Sequence, residues 1–100
     1  MGRGTTKTHF FKLPFTSKAI KKARVVYTQN NNIVLKKEVE QEQLEDNTVV
    51  VKLSQEDTFK LIANTPVEIQ LRLLFVNGDV KNSDIIRTSV SKCLDNEVLL

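Results

Sequence analysis

Residues Pro66 to Val90, PVEIQLRLLFVNGDVKNSDIIRTSV, carry the strongest folding instruction in the chain. Val67, Ile69, Leu71, Leu73 and Phe75 fall on one side, and Glu68, Gln70 and Arg72 on the other. A period of two places each set on one face of a β-sheet. Pro66 can open such a strand but has no place inside a central one. Asn77-Gly78 follows, the dipeptide that most readily takes the positive φ angles of a tight hairpin turn. The stretch therefore predicts a long β-hairpin with a buried first arm. Its return arm has two readings. A two-residue turn sets Val80 opposite Phe75 and Asp84 opposite Leu71, whereas a bulge or three-residue loop near Asp79 brings Ile85 opposite Leu71. Leu74 and Val76 break into the polar face of the first arm and are candidate interface residues.

The rest of the chain reads as shorter strands. Met1 to Lys7 is a Gly- and Thr-rich stretch expected to form a flexible arm, which leaves residues 8–100 as one domain. Thr8 to Phe15 is a first strand in which His9, Phe11 and Leu13 alternate against Phe10 and Lys12. Ala23 to Glu40 is a second hairpin. Its turn, Gln29 to Asn32, is rich in asparagines that tolerate left-handed angles. After it Ile33, Leu35, Lys37 and Val39 alternate with Val34 and Lys36. Asp46-Asn47 reads as a turn into the strand Thr48 to Leu53.

Ser54 and Asp57 have the spacing of a weak capping box. They predict a short helical turn reaching to Leu61 or Ile62, with Phe59 and Ile62 facing the core. Asn64-Thr65-Pro66 ends it. In the last ten residues, Val90, Cys93 and Leu94 have helical spacing while Val98 to Leu100 suit a strand, so both readings stay open. Val98, Leu99 and Leu100 form an apolar end that needs cover, from the core or from a neighbour, and join the candidate interface. Six or seven short strands without long interleaved helices predict an all-β antiparallel sandwich with one short helical turn.

Charge separates along the chain although the formal net charge is only +3. Residues 1–37 hold nine Lys or Arg and no acid, and residues 38–100 hold six Lys or Arg against twelve Asp or Glu, a balance of −6. Lys18, Lys21, Lys22, Arg24, Lys36 and Lys37 form a candidate basic patch, with Phe10, Phe11, Phe15 and Tyr27 interleaved. Basic grooves with stacking rings hold single-stranded nucleic acid, so nucleic-acid binding is the alternative function. The same split suits a contact between the basic part of one copy and the acidic part of another.

Motifs for catalysis are missing. The three glycines, at positions 2, 4 and 78, make no phosphate-binding loop. A nucleophile needs a neighbouring base, and the one thiol and the one histidine, Cys93 and His9, offer a single conceivable pair. Glu45-Asp46 and Glu56-Asp57 are adjacent and so point apart, unlike facing catalytic carboxyls. No metal ligand set, cofactor motif, membrane-spanning run or secretory signal is present. The expectation is a non-enzymatic protein without cofactors.

Several strings resemble small proteins encoded in bacteriophage and prophage structural gene clusters. These are the strand ending in Leu13-Pro14-Phe15, the strand end Tyr27-Thr28-Gln29, the corner Leu53-Ser54-Gln55-Glu56-Asp57-Thr58, and Ile69-Gln70-Leu71-Arg72. The resembling part runs from Arg3 to Val98. It is also similar, more distantly, to the immunoglobulin-like N-terminal domain of phage upper baseplate proteins, although those carry a long region downstream of the sandwich. The resemblance implies an immunoglobulin-like sandwich acting as a virion structural or accessory protein of tail or baseplate type. It implies synthesis in the bacterial host cytoplasm and a final place in the virion. The partners would be other virion proteins or copies of itself in a homo-oligomer. It transfers no active-site residue.

Overall fold

The structure, a computed structural model, describes residues 1–100. Seven strands and one helix follow one another: β1 (Lys7–Lys12), β2 (Ile20–Gln29), β3 (Asn32–Glu40), β4 (Thr48–Leu53), α1 (Gln55–Phe59), β5 (Val67–Phe75), β6 (Val80–Asn82) and β7 (Ile86–Thr88). The strands form two antiparallel sheets, the all-β sandwich that the strand pattern predicts. One sheet runs β3-β2-β5, and the far edge of β5 is shared by β6 beside Arg72–Leu74 and β7 beside Val67–Ile69. The other sheet is β1 paired with β4. No helix is long and apolar enough to cross a membrane.

The core lies between the sheets. Ala23, Val25 and Tyr27 of β2, Leu35 and Val39 of β3, and Val67, Ile69, Leu71, Leu73 and Phe75 of β5 line one side. Val49, Val51 and Leu53 of β4 join the same cluster from the smaller sheet. The alternation of β5 thus does what its sequence predicts. Each large apolar side chain removed from water in this way contributes about 1.5–3 kcal/mol.

Both hairpins form, and their turns set the registers. Asn30 and Asn31 both have positive φ, 52° and 63°, in a two-residue turn that leaves Gln29 opposite Asn32. The second hairpin closes through the longer loop. The Gly78 N–H reaches the Phe75 carbonyl at 2.9 Å, and the Phe75 N–H reaches the Asp79 carbonyl at 2.8 Å. Gly78 sits at φ 95°, the positive-φ third position of a three-residue hairpin loop. Val80 is therefore opposite Leu74, not Phe75. Neither expected partner meets Leu71: Ser83 does, its hydroxyl accepting the Leu71 N–H at 2.9 Å and its own N–H bonding the Leu71 carbonyl. The extra residue is absorbed before β7, where Ile86 lies opposite Ile69, and Ile85 is left exposed.

Three other details depart from the simple alternation. A register shift after Tyr27 pairs Leu35 with Tyr27 but Ile33 with Thr28. A one-residue slip exchanges faces, so Ile33 leaves the core and is 60% exposed. The capping box at α1 forms as its spacing predicts, with the Asp57 N–H on Ser54 Oγ at 3.1 Å and the Ser54 N–H on Asp57 Oδ2 at 3.0 Å. The helix, however, stops at Phe59, short of the expected Leu61 or Ile62; Thr58 within it and Leu61 beyond it turn inward, while Phe59 is half-buried and Ile62 exposed. Thr58 Oγ1 donates to the Thr5 carbonyl at 2.7 Å, a bond no phenylalanine makes.

The two ends of the chain are tied down. Gly2 pairs in parallel with Ser91, the Arg3 N–H bonds the Ser91 carbonyl, and the Ser91 N–H bonds the Met1 carbonyl. β1 begins at Lys7, within the stretch read as an arm, and ends before Pro14. After β7 the chain forms neither helix nor strand as far as Leu100, apart from that single bridge at Ser91.

Candidate functional site

The outward face of the five-stranded sheet is built by the residues that alternate with the core. Strand pairing lines them up in rows. Glu38, Arg24, Arg72 and Asn82 make one row, and Glu40, Lys22, Leu74 and Val80 make the next. Lys36, Val26 and Gln70 follow, then Ile33, Thr28, Glu68 and Arg87. Lys22, Arg24, Arg72, Leu74 and Val80 surround a shallow hollow of about 180 Å³. Its floor is apolar and its rim cationic.

The rim is unevenly neutralised. Glu38 accepts from Arg24 Nε at 2.9 Å and meets Lys22 Nζ at 3.0 Å. Hydrogen bonds from Lys22 and then Arg24 hold its carboxyl below the usual carboxylate range. Arg72 has no acid within ion-pair distance; its Nε donates to Asn82 Oδ1 at 2.9 Å. Arg24 and Arg72 stand directly opposite on neighbouring strands. Like charges so placed repel.

The predicted basic patch is only partly assembled. Lys22, Arg24 and Lys36 share the outward face. Lys21 is exposed at the register shift between Ile20 and Lys22, and Lys18 lies off the sheet in the turn Ser17–Ala19. Lys37 alternates with Leu35 and Val39 on the inward side, where its Nζ meets Asp57 Oδ2 at 2.8 Å. Of the candidate interface residues, Leu74 is half-buried in the hollow and Val76 is 60% exposed on the hairpin loop. Val98, Leu99 and Leu100 lie elsewhere, in the segment held against α1. There Gln55 Nε2 donates to the Leu99 carbonyl and its Oε1 accepts the Leu99 N–H, both at 2.8 Å.

Arg72 and Val80 belong to the hollow but escaped the sequence reading. Arg72 was visible as an outward residue of β5. What it faces depends on the β2–β5 pairing, and Val80 depends on the hairpin register. A second cleft, of about 350 Å³, lies between β1 and β7 and is lined by Phe10, 68% exposed, and Ile86 among others. The exposure of Phe10 was implied by its parity with Lys12.

Cys93 and His9 engage separate partners. Cys93 Sγ meets the Asp95 carbonyl at 2.9 Å. His9 Nδ1 shares a 2.8 Å hydrogen bond with Tyr27 Oη, their rings stacked 5.7 Å apart. Burial, then the Lys7 charge, lowers the His9 pKa. Burial, then Asp57, raises that of Tyr27. No group of three or more His, Cys, Asp or Glu side chains is placed to hold a metal ion. No family model, curated protein or solved structure matches the chain.

Proposed function

We propose that this protein is a non-enzymatic structural or accessory component that works through protein–protein contact, in the virion setting that the sequence resemblance implies. The observation that carries the contact reading is the outward face of the five-stranded sheet. Leu74 and Val80 lie there beside a cationic rim, with Val76 exposed on the hairpin loop after β5 and Ile33 and Ile85 exposed farther along. Apolar surface left open within a polar rim marks interaction sites. Charges at such a rim select the partner and its orientation. Glu38 already occupies two of the cations, which favours a protein partner over a continuous phosphate backbone.

Two measurements test this reading. Mass spectrometry of particles purified after induction of the host should find the chain in stoichiometric amount, and its absence would remove the virion role. A salt-titrated assay with single- and double-stranded DNA should find no retention at low salt. Tight binding that weakens steeply with salt would favour the nucleic-acid alternative instead.

A further inference from the structure

We propose that the hollow on the outward sheet face receives residues Asp95–Leu100 of a second copy of this chain. This inference rests on the protein–protein contact reading and names the partner. The occupant must be anionic and apolar within a few residues. The hollow sets Lys22, Arg24 and Arg72 around Leu74 and Val80; in the Arg24–Arg72 row the one carboxylate, Glu38, is bound to Lys22 and Arg24, and Glu40, opposite Lys22 on β3, forms no ion pair. Arg72 is left with an amide oxygen for company. An acid placed between the opposed Arg24 and Arg72 relieves their repulsion.

Asp95-Asn96-Glu97-Val98-Leu99-Leu100 has the complementary composition. Neither Asp95 nor Glu97 forms an ion pair, and Leu99 is 78% exposed. The Gln55 amide grips the backbone of Leu99 through both its donor and its acceptor, as a neighbouring strand would. The segment is thus held open with its apolar side chains facing solvent. Asp84-Ile85-Ile86 has a similar composition, but its Ile86 is paired with Ile69 of β5 and Ser83, just before it, is bonded to Leu71, so the stretch is tied to its own sheet at both ends. The tail cannot fill its own hollow while gripped. α1 follows β4 on the inward side of the sandwich, and the hollow opens on the outward side of β2 and β5. The contact therefore joins two copies, with a different surface from each. Mutual exchange closes a dimer, and one-way contact gives a ring or an open chain.

Complementation between two variants tests the contact. The face variant carries Arg24→Glu and Arg72→Glu, and the tail variant carries Asp95→Asn, Glu97→Gln, Leu99→Ser and Leu100→Ser. Sedimentation of the wild type at about 1 mM, where weak contacts still register, should show association that declines with salt. Each variant alone should associate about tenfold or more weakly. An equimolar mixture should form a 1:1 complex, because it contains one intact face and one intact tail. Should the reversed charges disturb folding, Arg24→Gln with Arg72→Gln replaces them in the same mixture. A monomeric wild type, unaltered association in either variant, or a mixture without complex overturns the proposal. None of these results bears on the presence of the chain in particles, which the mass spectrometry decides separately.

Discussion

Gln29 shows how one side chain can hold two parts of this chain together. It is buried at the end of β2. Its Nε2 donates to the Ile62 carbonyl at 2.9 Å and the Thr65 carbonyl at 3.2 Å, and its Oε1 accepts the Ile62 N–H at 2.8 Å. A primary amide carries a donor and an acceptor side by side, so it can stand in for a neighbouring strand. Gln29→Leu keeps the bulk but takes both partners from the Ile62 N–H and carbonyl, which are part-buried against the end of β2. Urea unfolding should show a loss of about 2–4 kcal/mol. Gln55→Leu removes the same kind of bond at an exposed place and should cost under about 1 kcal/mol. Equal effects would mean that burial does not govern the Gln29 bonds. Nothing adjacent to Gln29 in sequence announces this role. It reads as the first residue of a turn, and the loop it grips lies more than thirty residues away.

The strands and hairpins were readable because their cues are local: alternation, asparagines at the turn, and Asn77-Gly78. Shifts in register were not, since a bulge is decided by two strands together and leaves no mark on either alone. Val34 illustrates this. The slip beside it carries Ile33 to the outward face while Leu35 stays in the core. The candidate site divides in the same way. Leu74, Lys22 and Arg24 follow from parity within one strand, and so does the inward position of Lys37. The Arg24–Arg72 opposition and the place of Val80 arise only from pairing. The helix adds a related lesson. Ser54 and Asp57 fix where α1 starts, but Thr58 rather than Phe59 faces inward because the Thr5 carbonyl is there to meet its hydroxyl. β5 itself supplies the test of the alternation. Leu71 is buried, with Val25 its partner on β2. Leu71→Ala should cost about 2–5 kcal/mol in thermal or urea melting. Leu74→Ala, on the outward face, should cost about 1 kcal/mol or less. A midpoint unmoved by Leu71→Ala would place that side chain outside the core.

Over the whole molecule, folding offsets part of the separation of charge seen along the chain. Glu38 meets Lys22 and Arg24, and Asp57 meets Lys37, while Glu68 meets Arg87 within the acidic part. Asp57 shows the consequence for pH. Burial favours its protonated form, yet the Lys37 ammonium and the Ser54 cap outweigh burial and hold its pKa below the ordinary carboxylate value. The folded protein therefore binds fewer protons there than the unfolded chain does. The stability from Asp57 is complete above the unfolded carboxylate pKa and is lost as pH falls through the folded one. His9 acts at a higher pH. Its lowered pKa keeps it neutral in the fold, so its share begins to fall once pH drops below the ordinary value of 6.5, and the loss ends below the folded pKa. Melting midpoints should thus decline in two stages on acidification, first with His9 and then with the carboxylates. Asp57→Asn keeps an oxygen to cap α1 but removes the charge facing Lys37. It should melt below the wild type at pH 7, by about 1 kcal/mol, and converge with it at about pH 2, where the wild-type carboxyl is also neutral. A gap that stays constant across that range would mean the Lys37–Asp57 charge pair contributes nothing, and that the substitution acts through packing at the helix start.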